Sequence, residues 1–368
     1  MPYLERIWQG LGTAIFVLSL FVLSLSSGCR PAVVPAPPIR ASQPVVLSTK
    51  PAVAGSASSP VADDVSVKDP AAERHHEPAA AVKPPVETPD EKVAKVLRDR
   101  GARVNIDQRS GKINHIFAGR VSSPGSKVKP EDVVSIGTLS GVSMLYLDGT
   151  NIQDADVLKL SGLRGIISFD VSGNDITDKG LSAIKQYPSL DILNISSTKV
   201  ADETICAVAK TARWRAFWAN DSLVTDKGAE CLSQIRSLMH VHLAGTHVSN
   251  VGLAHLGQLG GLLELNLART DVNDDGLAHL GRLSRLRELD LSGCAIEGPG
   301  LVNLHGLPLQ WLKLNDTPLT DVSIAALTGL SKGILVIELR GTKLSPEGLM
   351  KIKQAFPDSS IRHEPAMP

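Results

Sequence analysis

One spacing of apolar and polar positions dominates the chain. The pattern L-x-x-L-x-L-x-x-T-x-V, with other apolar residues often in the L places, returns from Val142, Ile166, Leu190, Trp214, Leu238, Leu262, Leu286, Leu309 and Ile334. The intervals are 24 residues six times, then 23 and 25, and a degenerate earlier copy starts at Ile113. Such self-similarity predicts stacked units, none of which could bury its apolar face alone. The fourth and sixth places, Leu265 and Leu267 in one copy, belong to a short strand and point inward by two-residue alternation. The ninth place holds Thr150, Asn174, Thr198, Ser222, Thr246, Thr270, Cys294, Thr317 and Thr342. A small polar side chain there can satisfy backbone groups where the chain leaves the strand, so Cys294 reads as a member of this ladder. Thr177-Asp178, Thr225-Asp226, Thr320-Asp321 and Ser345-Pro346 then supply N-caps and favourable first-turn residues. Apolar pairs three apart, such as Leu181 and Ile184 or Leu253 and Leu256, predict a helix in every unit, facing back toward its strand.

The chain ahead of the repeats follows other patterns. Val93, Val96 and Leu97 stand at helical spacing before Gly101, which can terminate a helix. Arg103 to Ile106 and Lys112 to Ala118 alternate around Arg109-Ser110-Gly111 and predict a hairpin. Helix and hairpin together would cover the otherwise exposed end of the repeats. From Arg30 to Asp90 there is no aromatic residue and more than half of the chain's 23 prolines. Such a segment cannot bury enough apolar surface to offset its ordering entropy, which predicts a disordered tether. His75 and His76 lie inside it and read as solvated residues rather than metal ligands.

The first residues carry an address. Arg6 precedes an apolar run from Leu11 to Leu25, followed by Ser26, Ser27, Gly28 and Cys29. The run is shorter than the ~20 residues needed to span hydrocarbon and reads as a secretory signal. The stretch L-S-S-G-C resembles the lipobox of bacterial lipoproteins, with Ser26 where that family usually has Leu. The resemblance implies diacylation of Cys29 as the first mature residue, and hence a lipid anchor in the bacterial cell envelope. The expected organisation is a signal over 1–28, a tether over 29–90, a helix-hairpin cap with a degenerate first repeat over 91–133, the repeats over 134–363 and a tail over 364–368.

Composition narrows the function. Lys plus Arg equals Asp plus Glu at 38 each, so no overall basic field gathers nucleic-acid phosphates, and no nucleic-acid partner is expected. Only 4% of residues are aromatic, leaving aliphatic side chains to fill the core. The four cysteines show no C-x-x-C spacing. Cys206 and Cys231 fall on adjacent predicted helices one residue out of register, and two packed thiols are expected there in preference to a disulfide. No G-x-S-x-G, G-x-G-x-x-G, P-loop or H-E-x-x-H motif occurs, so the expectation is a non-catalytic protein with no cofactor.

The segment from Ile113 to His363 resembles a leucine-rich-repeat protein. The form T-x-I-T-D-x-G-L is similar to the cysteine-containing subclass, with Thr in the column usually filled by Cys. The resemblance implies an α/β fold, a right-handed solenoid or horseshoe with a parallel concave sheet and helices on the convex side. It also implies that the sheet binds other molecules, mainly proteins. The third, fifth and seventh places of each repeat then point outward and place Tyr146, Trp218 and Trp311 on that face. Exposed aromatics on a rigid sheet are typical interface anchors; the alternative is local packing against neighbouring strands. Trp214 and Phe217 fall in inward columns beside Ala219 and are expected in the core. His240 and His242 project to the same side, with Glu264 beside His240 on the next strand, about 5 Å away. These three join the expected partner-binding set. They also motivate a second reading, a metal-binding protein or metal-dependent enzyme, and a third is a structural scaffold of the envelope.

Overall fold

The computed structural model describes residues 87–364. The signal, Cys29 and nearly all of the tether lie outside the described residues. The first element, α1 (Pro89–Asp99), begins with a capping box in which Thr88 Oγ1 accepts from Glu91 N and the Glu91 carboxylate accepts from Thr88 N. The helix buries Ala94 and Leu97, while Val96 of the expected apolar stripe is 48% exposed. Strands β1 (Arg103–Ile106) and β2 (Ile113–Phe117) follow as the antiparallel hairpin. β2 is the degenerate first copy, and it joins the repeats by pairing parallel with β3 (Met144–Tyr146).

From there each repeat contributes one three-residue strand. β4 (Ser168–Asp170), β5 (Ile192–Asn194), β6 (Ala216–Trp218), β7 (His240–His242) and β8 (Glu264–Asn266) lead to β9 (Glu288–Asp290), β10 (Trp311–Lys313), β11 (Val336–Glu338) and β12 (Ser360–Arg362). The 12-stranded sheet keeps sequence order throughout and is parallel from β2 to β12. The repeat period sets the register: Val241 pairs with Leu265, and Leu265 with Leu289. Short helices return the chain from strand to strand. They are α2 (Asp132–Gly137), α3 (Asp154–Leu158), α4 (Asp202–Val208), α5 (Asp226–Leu232), α6 (Asn250–Leu256), α7 (Ile324–Thr328) and α8 (Pro346–Ala355). The connections at Gly180–Gln186, Asp274–His279, Pro299–Leu304 and Asp321–Ser323 tighten to 3-10 helix. One continuous aliphatic core runs between sheet and helices, and Leu243, Leu265, Leu267 and Leu277 in it are fully buried. Among the described residues no helix is long and apolar enough to cross a membrane.

Three columns recur at fixed places in the repeat. At the eighth place the backbone takes positive φ in every repeat, with glycine at Gly149, Gly173, Gly245, Gly293 and Gly341 and other residues at Ser197, Asp221, Arg269 and Asp316. The chain turns sharply off the strand there, and glycine adopts that conformation without the steric cost of a Cβ. At the ninth place the Thr246 hydroxyl donates to Leu243 O at 2.6 Å within its own repeat. Asn174 and Cys294 reach the preceding repeat, donating to Leu147 O at 2.8 Å and Leu267 O at 3.0 Å, and Asn174 also donates to Val171 O of its own repeat at 2.9 Å. Cys294 is thus a buried ladder residue whose thiol burial pushes up.

The third column is the residue at or near each helix start, an aspartate in most repeats but Asn250 and Pro346 in others. Asp226 accepts from Ser249 N, Ser249 Oγ and Gly252 N of the next repeat, at 2.7, 2.6 and 2.8 Å. Asp154, Asp202 and Asp321 likewise reach the capping residue of the next repeat. Glycine at the third helical position makes room for this contact, since a Cβ on Gly252 would stand 2.4 Å from Asp226 Oδ1. The T-D-x-G motif is therefore a stitch between repeats as well as a helix start.

On the helical side, Cys206 and Cys231 form a disulfide, which corrects the expectation of two packed thiols. α4 and α5 stack so closely that the one-residue offset still leaves the two Cα atoms 5.0 Å apart, within bonding range.

Candidate functional site

The outward side chains of the sheet form rows, because the strands are in register. One row runs through Ala216, His240, Glu264, Glu288, Trp311 and Val336, and a second through Tyr146, Asp170, Asn194, Trp218, His242, Asn266, Asp290, Lys313, Glu338 and Arg362.

At the centre, Glu264 bridges the two histidines. His240 Nδ1 lies 3.0 Å from Glu264 Oε2, and His242 Nε2 lies 2.9 Å from Oε1. An ionised carboxylate only accepts, so both ring nitrogens donate. Burial alone would push the Glu264 carboxyl up. The two imidazoles outweigh it through charge and hydrogen bonds and hold it well below the usual carboxylate range. His242 is 7% exposed, and its Nδ1 is buried without a hydrogen-bond partner. The indole of Trp218 meets the His242 ring edge-on at 6.1 Å between centroids. His242 therefore supports Glu264 and Trp218 from beneath rather than presenting itself to solvent, while His240 and Glu264 keep 38% and 31% of their side-chain surface. In this arrangement the carboxylate oxygens are taken separately by the two rings, and among the described residues no group of three or more His, Cys, Asp or Glu side chains is arranged to hold a metal ion.

Tyr146 is the correction to the expected set of exposed aromatics. It leaves β3 on the outward side, as alternation requires, but is only 4% exposed. The cap covers it: Phe117 on the adjoining strand stacks on the Tyr146 ring at 5.0 Å. Its hydroxyl shares a hydrogen bond with Ser168 Oγ at 2.9 Å. Trp218 and Trp311 remain partly exposed, and neither indole N–H has an acceptor among the described residues.

Two buried carboxylates beside Tyr146 were not singled out from sequence. Asp148 accepts from Val121 N and Ser122 N of the cap. Asp170 accepts from Ser172 N at 2.9 Å, Ser172 Oγ at 2.7 Å and Asn194 Nδ2 at 2.9 Å. Burial, then the nearby Asp148 charge, push the Asp170 carboxyl up to about 6, against the pull of these donors. The signal available beforehand was two acidic residues in outward columns of consecutive repeats. Because the folded value lies above the unfolded one of about 3.9, the folded state holds the extra proton, and stability falls as pH rises between roughly 4 and 6. Asp170→Asn should remove this decline, narrowing the loss in urea-unfolding stability from pH 4 to pH 7 by about 2 kcal/mol. An unchanged pH profile would show that Asp170 titrates normally.

Toward the C-terminal strands most charges are matched on the sheet itself. Lys313 Nζ lies 3.5 Å from Asp290 Oδ2. Glu338 accepts from Arg362 Nη1 at 2.8 Å and Asn315 Nδ2 at 2.9 Å.

Residues 166–185 and 284–304 match a family model described as Leucine Rich repeat. No curated protein matches the chain. Among solved structures it is similar to a TDR receptor, at 18% identity over 63% of this chain and 40% of that one, with a TM-score of 0.44. It is also similar to an internalin C2 from Listeria monocytogenes, at 21% identity over 71% of this chain and 95% of that one, with a TM-score of 0.42. Strand order, register, alternating short helices and the matched repeats agree: residues 87–364 form an α/β leucine-rich-repeat solenoid.

Proposed function

We propose that this chain is a non-catalytic module that captures a protein or peptide on its sheet face, and that it works from the bacterial cell envelope. The observation that carries the binding reading is the pair of partly exposed indoles, Trp218 and Trp311, on a sheet whose other polar groups are largely bonded to one another. A rigid, internally satisfied surface with aromatic anchors loses little conformational entropy on binding. The double variant Trp218→Ala/Trp311→Ala should reduce crosslinked capture from native envelope by roughly tenfold or more. Val251→Ala/Val322→Ala removes side chains 61% and 82% exposed on the helical side and serves as the matched control. Capture lost with the helical variant and kept with the sheet variant would place binding on the other surface.

Two features support the envelope reading. The apolar run before Ser26-Ser27-Gly28-Cys29 has the form of an export signal with a lipidation cysteine. The Cys206–Cys231 disulfide is of a kind that persists in oxidising compartments. Cys29→Ala should move the protein from the membrane fraction to the soluble fraction. A variant that still sediments with membranes would argue against a lipid anchor at Cys29.

A further inference from the structure

Counting hydrogen-bond and ion-pair partners over the strands from β8 to β11 leaves one carboxylate over. Glu264 is held by two imidazoles, Asp290 by Lys313, and Glu338 by Arg362 and Asn315. Glu288 stands in register between Glu264 and Trp311 and has neither a hydrogen bond nor an ion pair among the described residues. It is only partly exposed, and burial, followed by the Glu264 charge beside it, pushes its carboxyl up against the smaller opposing pull of the Lys313, His240 and His242 charges, none of which is bonded to it. A partly desolvated carboxylate with no bonded partner, in register with a partly exposed indole, is a receptor for a cation. The carboxylate supplies the counter-charge, and the ring supplies its negative π surface.

We propose that Glu288 and Trp311 receive a basic side chain, the guanidinium or ammonium of an arginine or lysine in the bound segment of the partner. This rests on the reading of the sheet as the binding face and adds the chemistry of what it recognises. The partner is an extended basic segment rather than a free small cation, because a second anchor stands within reach. Trp218 on β6 is four strand spacings from Trp311 on β10, or roughly 19 Å, which about six extended residues span. An acidic segment would meet Glu288 and Glu264 as like charges, and an apolar one would bury Glu288 without a partner.

The test is fluorescence anisotropy of the full chain with a labelled heptapeptide of alternating glycine and arginine, against the same peptide with glutamate for arginine. The arginine peptide should bind and the glutamate peptide should not. Glu288→Gln and Trp311→Ala should each weaken the arginine peptide by about fivefold or more, while Trp311→Phe keeps most of the affinity. Asp275→Asn removes the same charge from an exposed helical position and should stay within about twofold. Thermal unfolding of each variant checks that the fold is intact. The proposal is overturned if Glu288→Gln weakens binding no more than Asp275→Asn, or if both peptides bind alike. Sheet-dependent envelope capture that survives Glu288→Gln would overturn the basic-segment assignment while leaving the binding face standing. Arginine-peptide affinity insensitive to Trp218→Ala/Trp311→Ala as well would overturn both.

Discussion

Replacing Phe217 with alanine should cost about 3–5 kcal/mol of folding stability, among the largest single-site effects in the molecule. Phe217 is fully buried and stacks on Trp214 with ring centroids 5.4 Å apart and planes 7° apart. The residue two places on, Ala219, is also fully buried, where the following repeats carry Leu243, Leu267 and Leu291. This one repeat exchanges three aliphatic side chains for two large rings and a methyl group. The core there is filled by compensation, so its members should be coupled. Ala219→Leu alone should cost about 1–3 kcal/mol through overpacking. Combining it with Phe217→Leu, which frees volume on the same inward face, should cost less than the two single changes added together. Urea-unfolding midpoints of the four proteins test this, and strict additivity would show that the two positions pack independently.

That compensation was legible in the sequence, because Trp214, Phe217 and Ala219 all fall in columns whose inward direction the repeat defines. The same logic placed the strands from β3 to β11 and their register, though not β12 beyond the last copy, and it put His240 opposite Glu264. What it missed depends on neighbours outside the repeat or one repeat away. Tyr146 obeys the alternation, yet it is buried because Phe117, in the same outward column of the degenerate first copy, stacks on it, and a shared column does not by itself say which side chains will cover one another. His242 faces outward as expected but is nearly buried, with the Trp218 ring edge-on against it and Glu264 from the next strand bonded to its Nε2. The aspartate stitch has a sequence trace, Asp226 answered by Gly252 in the following unit, but it becomes visible only when the column is read across two repeats. The left-handed eighth place is blurred because four of its nine members are not glycine. Binding, in contrast, was legible only as a face. Glu288 stands out once every other carboxylate near it has been matched to a partner.

Reducing the Cys206–Cys231 disulfide should lower stability by about 3 kcal/mol, the loop-closure entropy expected for a link of this length. The bond closes a loop of sequence separation 25, one repeat plus one residue, and so joins adjacent units. A solenoid unfolds by loss of contact between neighbouring repeats, and a covalent tie between two of them acts on that step. The tie joins the repeats of β5 and β6, the second of which carries Trp218. Cys206→Ser is the clean variant, because Cys206 is only partly buried whereas Cys231 is 5% exposed, and a serine there would bury a hydroxyl. Urea titration with and without reductant should give a lower midpoint for the reduced wild type, and Cys206→Ser should coincide with it and ignore the reductant. Chain made without residues 1–28 and held in a reducing cytosol should carry both thiols free and share the lower midpoint. If oxidised and reduced forms unfold together, the disulfide adds nothing to the stacking already supplied by the aspartate column and the aliphatic core.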